Sequence, residues 1–333
     1  MKAIALSSAK EPSFLDVPNP KLSDTEILVK IRAAGVCATD ITIIEGRYYN
    51  PGALRPVVLG HEGCGVVEQV GSAVRDLHIG NQVALETVHP CGRCSACLRG
   101  SSTYCENWRH IGMNINGVFA EYITVPSNRA HRIPDGIPSE SSVLAEPVAI
   151  AFNTLSRIDH PLHDERVVVI GPGPLGLLHA LVLSRMNTPR EIVVVGKEDD
   201  EYRLKKVAAM GFSTCVSTDV PQRSGRANVV IEAGGSNSSL HTAISVLAPG
   251  GTIYNLGLNT DPTVSSADLI RSGAKLSPGR GIQSEHLLRA IEFITLHHKE
   301  IDPVVDAWFS LEDFESAFAA ARGRKTLKVA FHI

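Results

Sequence analysis

No apolar run in this 333-residue chain approaches the ~18 residues that a membrane-spanning helix needs, so the sequence predicts no span. A secretory leader is missing as well. The apolar opening, Met1 to Leu6, is short and is soon followed by Lys10, Glu11 and Pro12, which breaks any leader pattern. Its alternation predicts a first strand instead. The charge balance, -3 overall, includes no basic cluster long enough for a nucleic-acid footprint. The one short basic stretch, Arg322, Arg324, Lys325 and Lys328, reads as a solvated helix-to-strand junction. There are no internal repeats and no low-complexity tracts.

What remains is the composition of a globular enzyme, 44% hydrophobic and 20% charged. The length suits about two domains with sizeable cores. Seven cysteines, an odd number in a chain without a leader, point to a reducing compartment, the cytoplasm.

Four of those cysteines form a ladder, Cys91, Cys94, Cys97 and Cys105, spaced C-x2-C-x2-C-x7-C. Such spacing can wrap one tetrahedral ion in a single loop, and four thiolates suit Zn(II) best. Iron–sulfur clusters use related spacings. A disulfide lattice is the other reading, and the reducing compartment argues against it. Four thiolates fill a zinc's coordination shell, so the ladder predicts a structural metal rather than a catalytic one. His89, beside it, is not needed as a ligand.

The first part of the chain is rich in short β-like runs bounded by Gly, Pro and Asn: Ile27 to Ala33, Gly65 to Val70, Gln82 to Leu85 and Ala120 to Val125. After Pro147 the character changes. Continuous apolar runs at Arg166 to Ile170, Glu191 to Val195, Asn228 to Ile231 and Thr252 to Leu256 alternate with helical patterns, which predicts an α/β domain with a doubly wound parallel sheet. The tail, with helices at His286 to Thr295 and Leu311 to Ala321 and a strand at Thr326 to Phe331, is expected to return to the first domain. The expected division is therefore 1–146 with 286–333, and 147–285.

Gly171-Pro-Gly173-Pro174-Leu175-Gly176 is a G-x-G-x-x-G loop between a predicted strand and a predicted helix, the context that gives this pattern meaning. The first glycine permits the turn, the second lets the backbone approach a pyrophosphate, and the third lets helix and strand pack closely. The second strand is followed by Gly196, Lys197, Glu198, Asp199 and Asp200. Lys197, with Arg203 a turn later, could meet the 2′-phosphate of NADP. A shift of one or two residues would put Glu198 on the ribose of NAD, so both cofactors stay open.

A second metal site is suggested by scattered residues. Cys37 lies in Gly35-Val-Cys37-Ala-Thr39-Asp40, His61 and Glu62 in Gly60-His61-Glu62-Gly-Cys-Gly65, and Glu146 in Ala145-Glu146-Pro147. Together they offer a thiolate, an imidazole and carboxylates, the makings of an open zinc site. With the ladder, Phe119-Ala-Glu-Tyr122 and the Gly171 to Gly176 loop in the same order, the chain resembles the zinc-dependent medium-chain dehydrogenases along essentially its whole length. Within them it is similar to the polyol branch, near sorbitol and threonine dehydrogenases.

The resemblance implies a GroES-like, mainly-β catalytic domain holding two zinc ions and a Rossmann domain for NAD or NADP. It implies Cys37, His61, Glu62 and Glu146 around the catalytic zinc, Asp40 behind His61, and Thr39 as the hydroxyl that leads the substrate proton away. It puts Lys328 on the cofactor phosphate and the loop Glu45 to Asn50 along the substrate cleft. Alcohol dehydrogenases of the family carry cysteine at the Glu146 position; glutamate there is typical of the polyol branch. Many relatives carry a histidine five residues after the cysteine ligand, where this chain has Thr42, so the exit of the proton relay differs. The expected reaction is oxidation of a secondary alcohol, a polyol or sugar alcohol, to a ketone by hydride transfer. The expected assembly is a homodimer or homotetramer. An amino alcohol such as threonine is a variant of this reading, with Arg47 and Arg109 as partners for its carboxylate. A non-catalytic dinucleotide-binding protein on the same fold is the other class, and the retained ligand set argues against it.

Overall fold

The computed structural model describes residues 1–7, 11–48, 56–220, 226–258 and 264–333. The chain forms two compact units. One comprises Met1–Ala149, Gly281–Gly323 and Lys328–Ile333; the other comprises Ile150–Arg280 and Arg324–Leu327. The tail thus returns to the first unit except for four residues. Those four stay with the second because Arg324 pairs with Asp199 and Asp200 and the Thr326 carbonyl accepts from Arg203 Nε.

The first unit is mainly β. Its largest sheet runs in the order Ala130–Arg132, Gln82–Leu85, Glu62–Val70, Glu26–Gly35, Lys328–His332 and Val305–Phe309, with Tyr122–Pro126 also paired to Glu26–Gly35. Glu26–Gly35 alternates buried and half-buried side chains along most of its length, as expected of a strand with one face on the core. The neighbouring strands are antiparallel, except that Val305–Phe309 runs parallel to Lys328–His332. The helix Phe314–Arg322 supplies the crossover that a parallel pair requires. A smaller sheet pairs Lys2–Leu6 with Pro12–Asp16 and Val57–Val58. Ile27, Val29, Ile31, Phe119 and Phe331 are fully buried in this unit's core. Each such side chain contributes roughly 1.5–3 kcal/mol by leaving water.

The second unit holds a six-stranded sheet, all parallel. Its order is Ser213–Val216, Glu191–Gly196, Arg166–Ile170, Ala227–Glu232, Leu247–Asn255 and Lys275–Pro278. Numbered along the chain this is 3-2-1-4-5-6, the order of dinucleotide-binding sheets. The strand sequence RVVVI is buried from its second residue onward, because helices cover both faces of such a sheet. Two of the six strands, Ser213–Val216 and Lys275–Pro278, carry too few buried residues to announce themselves in the sequence. Among the described residues, no helix is long and apolar enough to cross a membrane.

Candidate metal and dinucleotide sites

The cysteine ladder closes on itself. Cys91 follows the strand Val88–His89, Cys94 caps the short helix Ser95–Leu98 that contains Cys97, and Cys105 follows a single 3-10 turn, Ser102–Tyr104. The four sulfur atoms all lie within 4.8 Å of one another. Cys94 Sγ is 3.5 Å from Cys97 Sγ and 3.8 Å from Cys105 Sγ. A zinc ion with four sulfurs at about 2.3 Å implies sulfur–sulfur edges of about 3.8 Å. No pair is bonded, and all seven cysteines are free. The backbone N–H groups of Arg93 and Cys94 draw the Cys91 thiol down to about 6. Burial, then the neighbouring Cys94, pushes the Cys97 thiol up to about 12. Four sulfur donors at these separations fit zinc.

The second cluster is assembled from distant segments. Cys37 caps the helix Ala38–Ile44, and His61 immediately precedes the strand that Glu62 begins. Cys37 Sγ, a His61 ring nitrogen and a Glu62 carboxylate oxygen lie within 4.8 Å of one another. Asp40, fully buried, ties the first two together. Its Oδ2 accepts the Cys37 N–H at 2.9 Å, and its Oδ1 lies 3.1 Å from His61 Nδ1. With Nδ1–H donating to Asp40, Nε2 is the nitrogen left with a lone pair for a metal. Burial opposes charge on His61, but Asp40 and Cys37 outweigh it and hold its pKa well above the usual value. Anionic groups so concentrated are the electrostatics of a cation site.

Glu62 has a cationic neighbour of its own. The Lys328 ammonium, buried like Glu62, forms an ion pair with Glu62 Oε2. Burial alone would favour a neutral lysine, yet Glu62 and then Cys37 keep its pKa raised. Gly35 makes the pair possible. Its strand lies between the other two, and Gly35 faces Glu62 on one side and Ala330 on the other. Any Cβ on Gly35 would strike Glu62 Oε2 and come within 3.1 Å of Lys328 Cε. Glu146 stands in the first turn of the helix Ala145–Leu155, outside the group of three. Burial first, then the Glu62 charge, pushes its carboxyl up to about 7.

In the second unit, Gly171 follows the strand Arg166–Ile170 with φ +105, a conformation that favours glycine. A side chain there would also meet Gly234 N at 2.8 Å and the Ala233 carbonyl carbon at 2.9 Å. Gly173 caps the helix Pro174–Met186, with Pro174 at its first position. The space beside Gly173 is open, with no atom within 4 Å of an added Cβ, as a surface against which a pyrophosphate lies must be. Leu175 and Gly176 complete the first turn.

Residues 23–135 match the alcohol dehydrogenase GroES-like domain and residues 139–275 the glucose dehydrogenase C-terminus. An L-threonine 3-dehydrogenase from Edwardsiella ictaluri is 30% identical over 341 aligned positions, spanning 99% of this chain and 98% of that protein. The chain belongs to the zinc-dependent medium-chain dehydrogenases. Its structure is similar to a protein described as a zinc-binding dehydrogenase from Sinorhizobium meliloti, solved with NADP, with TM-score 0.91, 26% identity and coverage of 100% of this chain and 99% of that one. It shares its fold with galactitol-1-phosphate dehydrogenase from Escherichia coli, with TM-score 0.87, 22% identity and full coverage of both chains. This dehydrogenase therefore acts on alcohols, binds two zinc ions and uses NAD or NADP.

Several residues of the dehydrogenase stand apart from their sequence expectations. Lys328, expected on the cofactor phosphate, is buried against Glu62. Arg203, expected near a 2′-phosphate, donates to the Thr326 carbonyl at 2.9 Å. Thr42 donates its hydroxyl to the Ala38 carbonyl at 2.7 Å. Arg47 is held by Glu45. Tyr49 and Asn50 lie outside the described residues. His110 was not visible as a site residue in the sequence. Its ring packs edge-on against His61 at 5.5 Å and Nδ1 donates to the Ile111 carbonyl at 2.7 Å. No spacing rule links residue 110 to 61; only the fold does.

Replacing Cys97 with Ser should lower the zinc content from two to one per chain and reduce the melting temperature by about 5 °C or more, since structural zinc contributes folding energy. Metal analysis with a thermal scan checks this; an unchanged zinc count rules the ladder out as a zinc site.

Proposed function

We propose that the protein oxidises a secondary hydroxyl of a polyol or sugar alcohol to a ketone, with NADP as the preferred hydride acceptor. The gathering of Cys37, His61 and Glu62 around one point, with Asp40 behind them, is the observation that carries this reading. Glu146 beside that group supports the polyol branch, because the branch carries glutamate at this position.

Cys37, His61 and Glu62, with Glu146 at their edge, would hold the catalytic zinc, which would supply Lewis acidity toward the substrate hydroxyl, and NAD or NADP held by the second unit would supply the hydride acceptor. The residues of the chain do the rest. Asp40 keeps His61 in one tautomer and fixes the Cys37 backbone at the same time. Lys328 holds Glu62 from behind and compensates its buried charge. The Thr39 hydroxyl, one residue before Asp40, accepts the substrate proton as the hydroxyl ionises. From there the proton passes to water. The loop Gly171 to Gly176 and the helix N-terminus behind it receive the pyrophosphate.

The preference for NADP rests on the end of the second strand. Its last residue is Gly196, which has no carboxylate to grip a ribose diol. Lys197 comes next. Of the acidic residues that follow, Asp200 is buried and accepts from the Lys197 N–H at 2.9 Å and from Arg324 at 2.8 Å. Asp199 also pairs with Arg324. The one arginine holds both aspartates and offsets one of their two charges, so the preference for NADP rests on Lys197 and on the missing carboxylate at Gly196.

Oxidation of an amino alcohol is the second reading, favoured by the identity with threonine dehydrogenases. The pairing of Arg47 with Glu45 weakens it, leaving Arg109 for a carboxylate. A panel of polyols and L-threonine with both cofactors, followed by nicotinamide absorbance, separates the two. We place the enzyme in the cytoplasm, where four ladder thiolates stay reduced, and as a homodimer or larger assembly. The edge strand Lys275–Pro278 has one neighbour in its sheet, and the nearby Leu258, Ile270 and Leu276 are 63%, 81% and 51% exposed. An open, apolar edge of this kind suits pairing with its own copy.

Three outcomes test these proposals. Cys37→Ala should lower turnover by about a thousandfold or more, several kcal/mol of transition-state stabilisation, and remove one zinc while the ladder keeps the other; normal turnover sinks the assignment. Lys197→Ala should weaken NADP binding about tenfold, the loss of one charge-assisted contact, and leave NAD binding unchanged; equal effects on both cofactors would refute the selectivity argument. Leu276→Lys should shift sedimentation from dimer toward monomer, and an unaltered assembly would move the interface elsewhere.

A further inference from the structure

The parallel sheet has its switch point between the strands Arg166–Ile170 and Ala227–Glu232, where the winding reverses. Ligands of such sheets bind in the crevice at the carboxyl ends of those two strands. One wall of that crevice is the Gly171 loop. The other begins at Glu232, which pairs in register with Ile170. Glu232 is 1% exposed, and no cation pairs with it among the described residues.

Its carboxylate serves the backbone. Oε1 accepts the N–H of Gly234 at 2.8 Å and of Gly235 at 3.0 Å. The next residue, Ala233, donates its N–H to the Ile170 carbonyl at 2.8 Å. The turn so held is the surface against which Gly171 is pressed, since a side chain on Gly171 would strike Gly234 N and the Ala233 carbonyl carbon. The main-chain carbonyl of Glu232 accepts the N–H of Leu256 at 2.8 Å and of Gly257 at 3.2 Å, which ties in the end of the next strand.

We infer that Glu232 is a positioning residue for the dinucleotide. It fixes the turn Ala233 to Gly235, and through that turn the Gly171 loop, in the shape that accepts the pyrophosphate. Removing the carboxylate leaves two backbone donors without their acceptor, and the turn is then free to shift against Gly171. The effect falls on NAD and NADP alike, because both carry the pyrophosphate. That separates Glu232 from Lys197, whose effect is confined to the 2′-phosphate. The inference rests on dinucleotide binding by this unit and not on the identity of the alcohol.

The test compares Glu232→Ala and Glu232→Gln in the zinc-loaded enzyme. NADH and NADPH binding is followed by nicotinamide fluorescence, alongside zinc content and melting temperature. Glu232→Ala should weaken both dinucleotides by about tenfold or more, as expected for buried donors left unpaired. It should raise the KM for the cofactor while kcat at saturating cofactor and the zinc count hold. Glu232→Gln keeps a carbonyl acceptor and should bind both within about threefold of the parent, because the contact needs an acceptor rather than a charge. Parental affinity in Glu232→Ala overturns the inference. So does a tenfold loss in Glu232→Gln, which would require the negative charge itself. Should Glu232→Ala fail to fold, Glu232→Met, which keeps the bulk and removes the acceptor oxygens, takes its place under the same two outcomes.

Discussion

A missing side chain is the constraint on which the metal centre depends. Gly35 lies in the middle of three strands, and the flanking strands carry Glu62 and Lys328. Their charged groups meet only because nothing projects from Gly35 between them. A buried carboxylate without a partner is strongly destabilising, and Glu62 stands beside a thiol, another carboxylate and Asp40. Among the described residues, the ammonium of Lys328 is the lysine or arginine cation paired with Glu62. It gives the buried Glu62 carboxylate a partner of opposite charge within the sheet. An alanine at position 35 would therefore act as an electrostatic change as much as a steric one.

The cofactor half follows a different logic. There the sequence offers three acidic residues directly after Lys197, and counted as charges they would repel any phosphate. The fold offsets one of these charges and ties down two of the side chains. Arg324, on a segment far along the chain, clamps Asp199 and Asp200, and Asp200 turns back to cap the backbone of Lys197. The effective charge at the strand end is thus set by tertiary pairing, and the linear run of acids is misleading.

Local signals were legible in the sequence, and long-range ones were not. The cysteine ladder and the Gly171 to Gly176 loop are short, and their spacing alone carries the geometry. The strand Arg166–Ile170 could be read to the residue because burial on both faces makes it wholly apolar. The edge strand Lys275–Pro278 has no such burial and was invisible. Resemblance gathered Cys37, His61, Glu62 and Glu146, since each alone was a common residue in a common setting. It put Lys328 on the cofactor phosphate, and the distance in sequence between Lys328 and Glu62 hides their pairing. It also gave no role to His110, which reaches His61 only through the fold. Arg203 shows the limit of charge counting, for its guanidinium is tied to a carbonyl.

The two metal sites differ in how much chain they need. The ladder is complete once residues 91 to 105 exist, a closure within one loop with little entropy cost. The other cluster gathers Cys37, His61 and Glu62, but the cation paired with Glu62 comes from the last strand, Lys328–His332. Chains are made from the amino terminus and fold in pieces as they emerge. A growing chain can therefore take up its first zinc while still attached to the ribosome. The centre beside Glu62 reaches its final electrostatic state only after release, when the terminal strand enters the sheet. Until then Glu62 has no Lys328 to pair with, and the sheet lacks one of its inner strands.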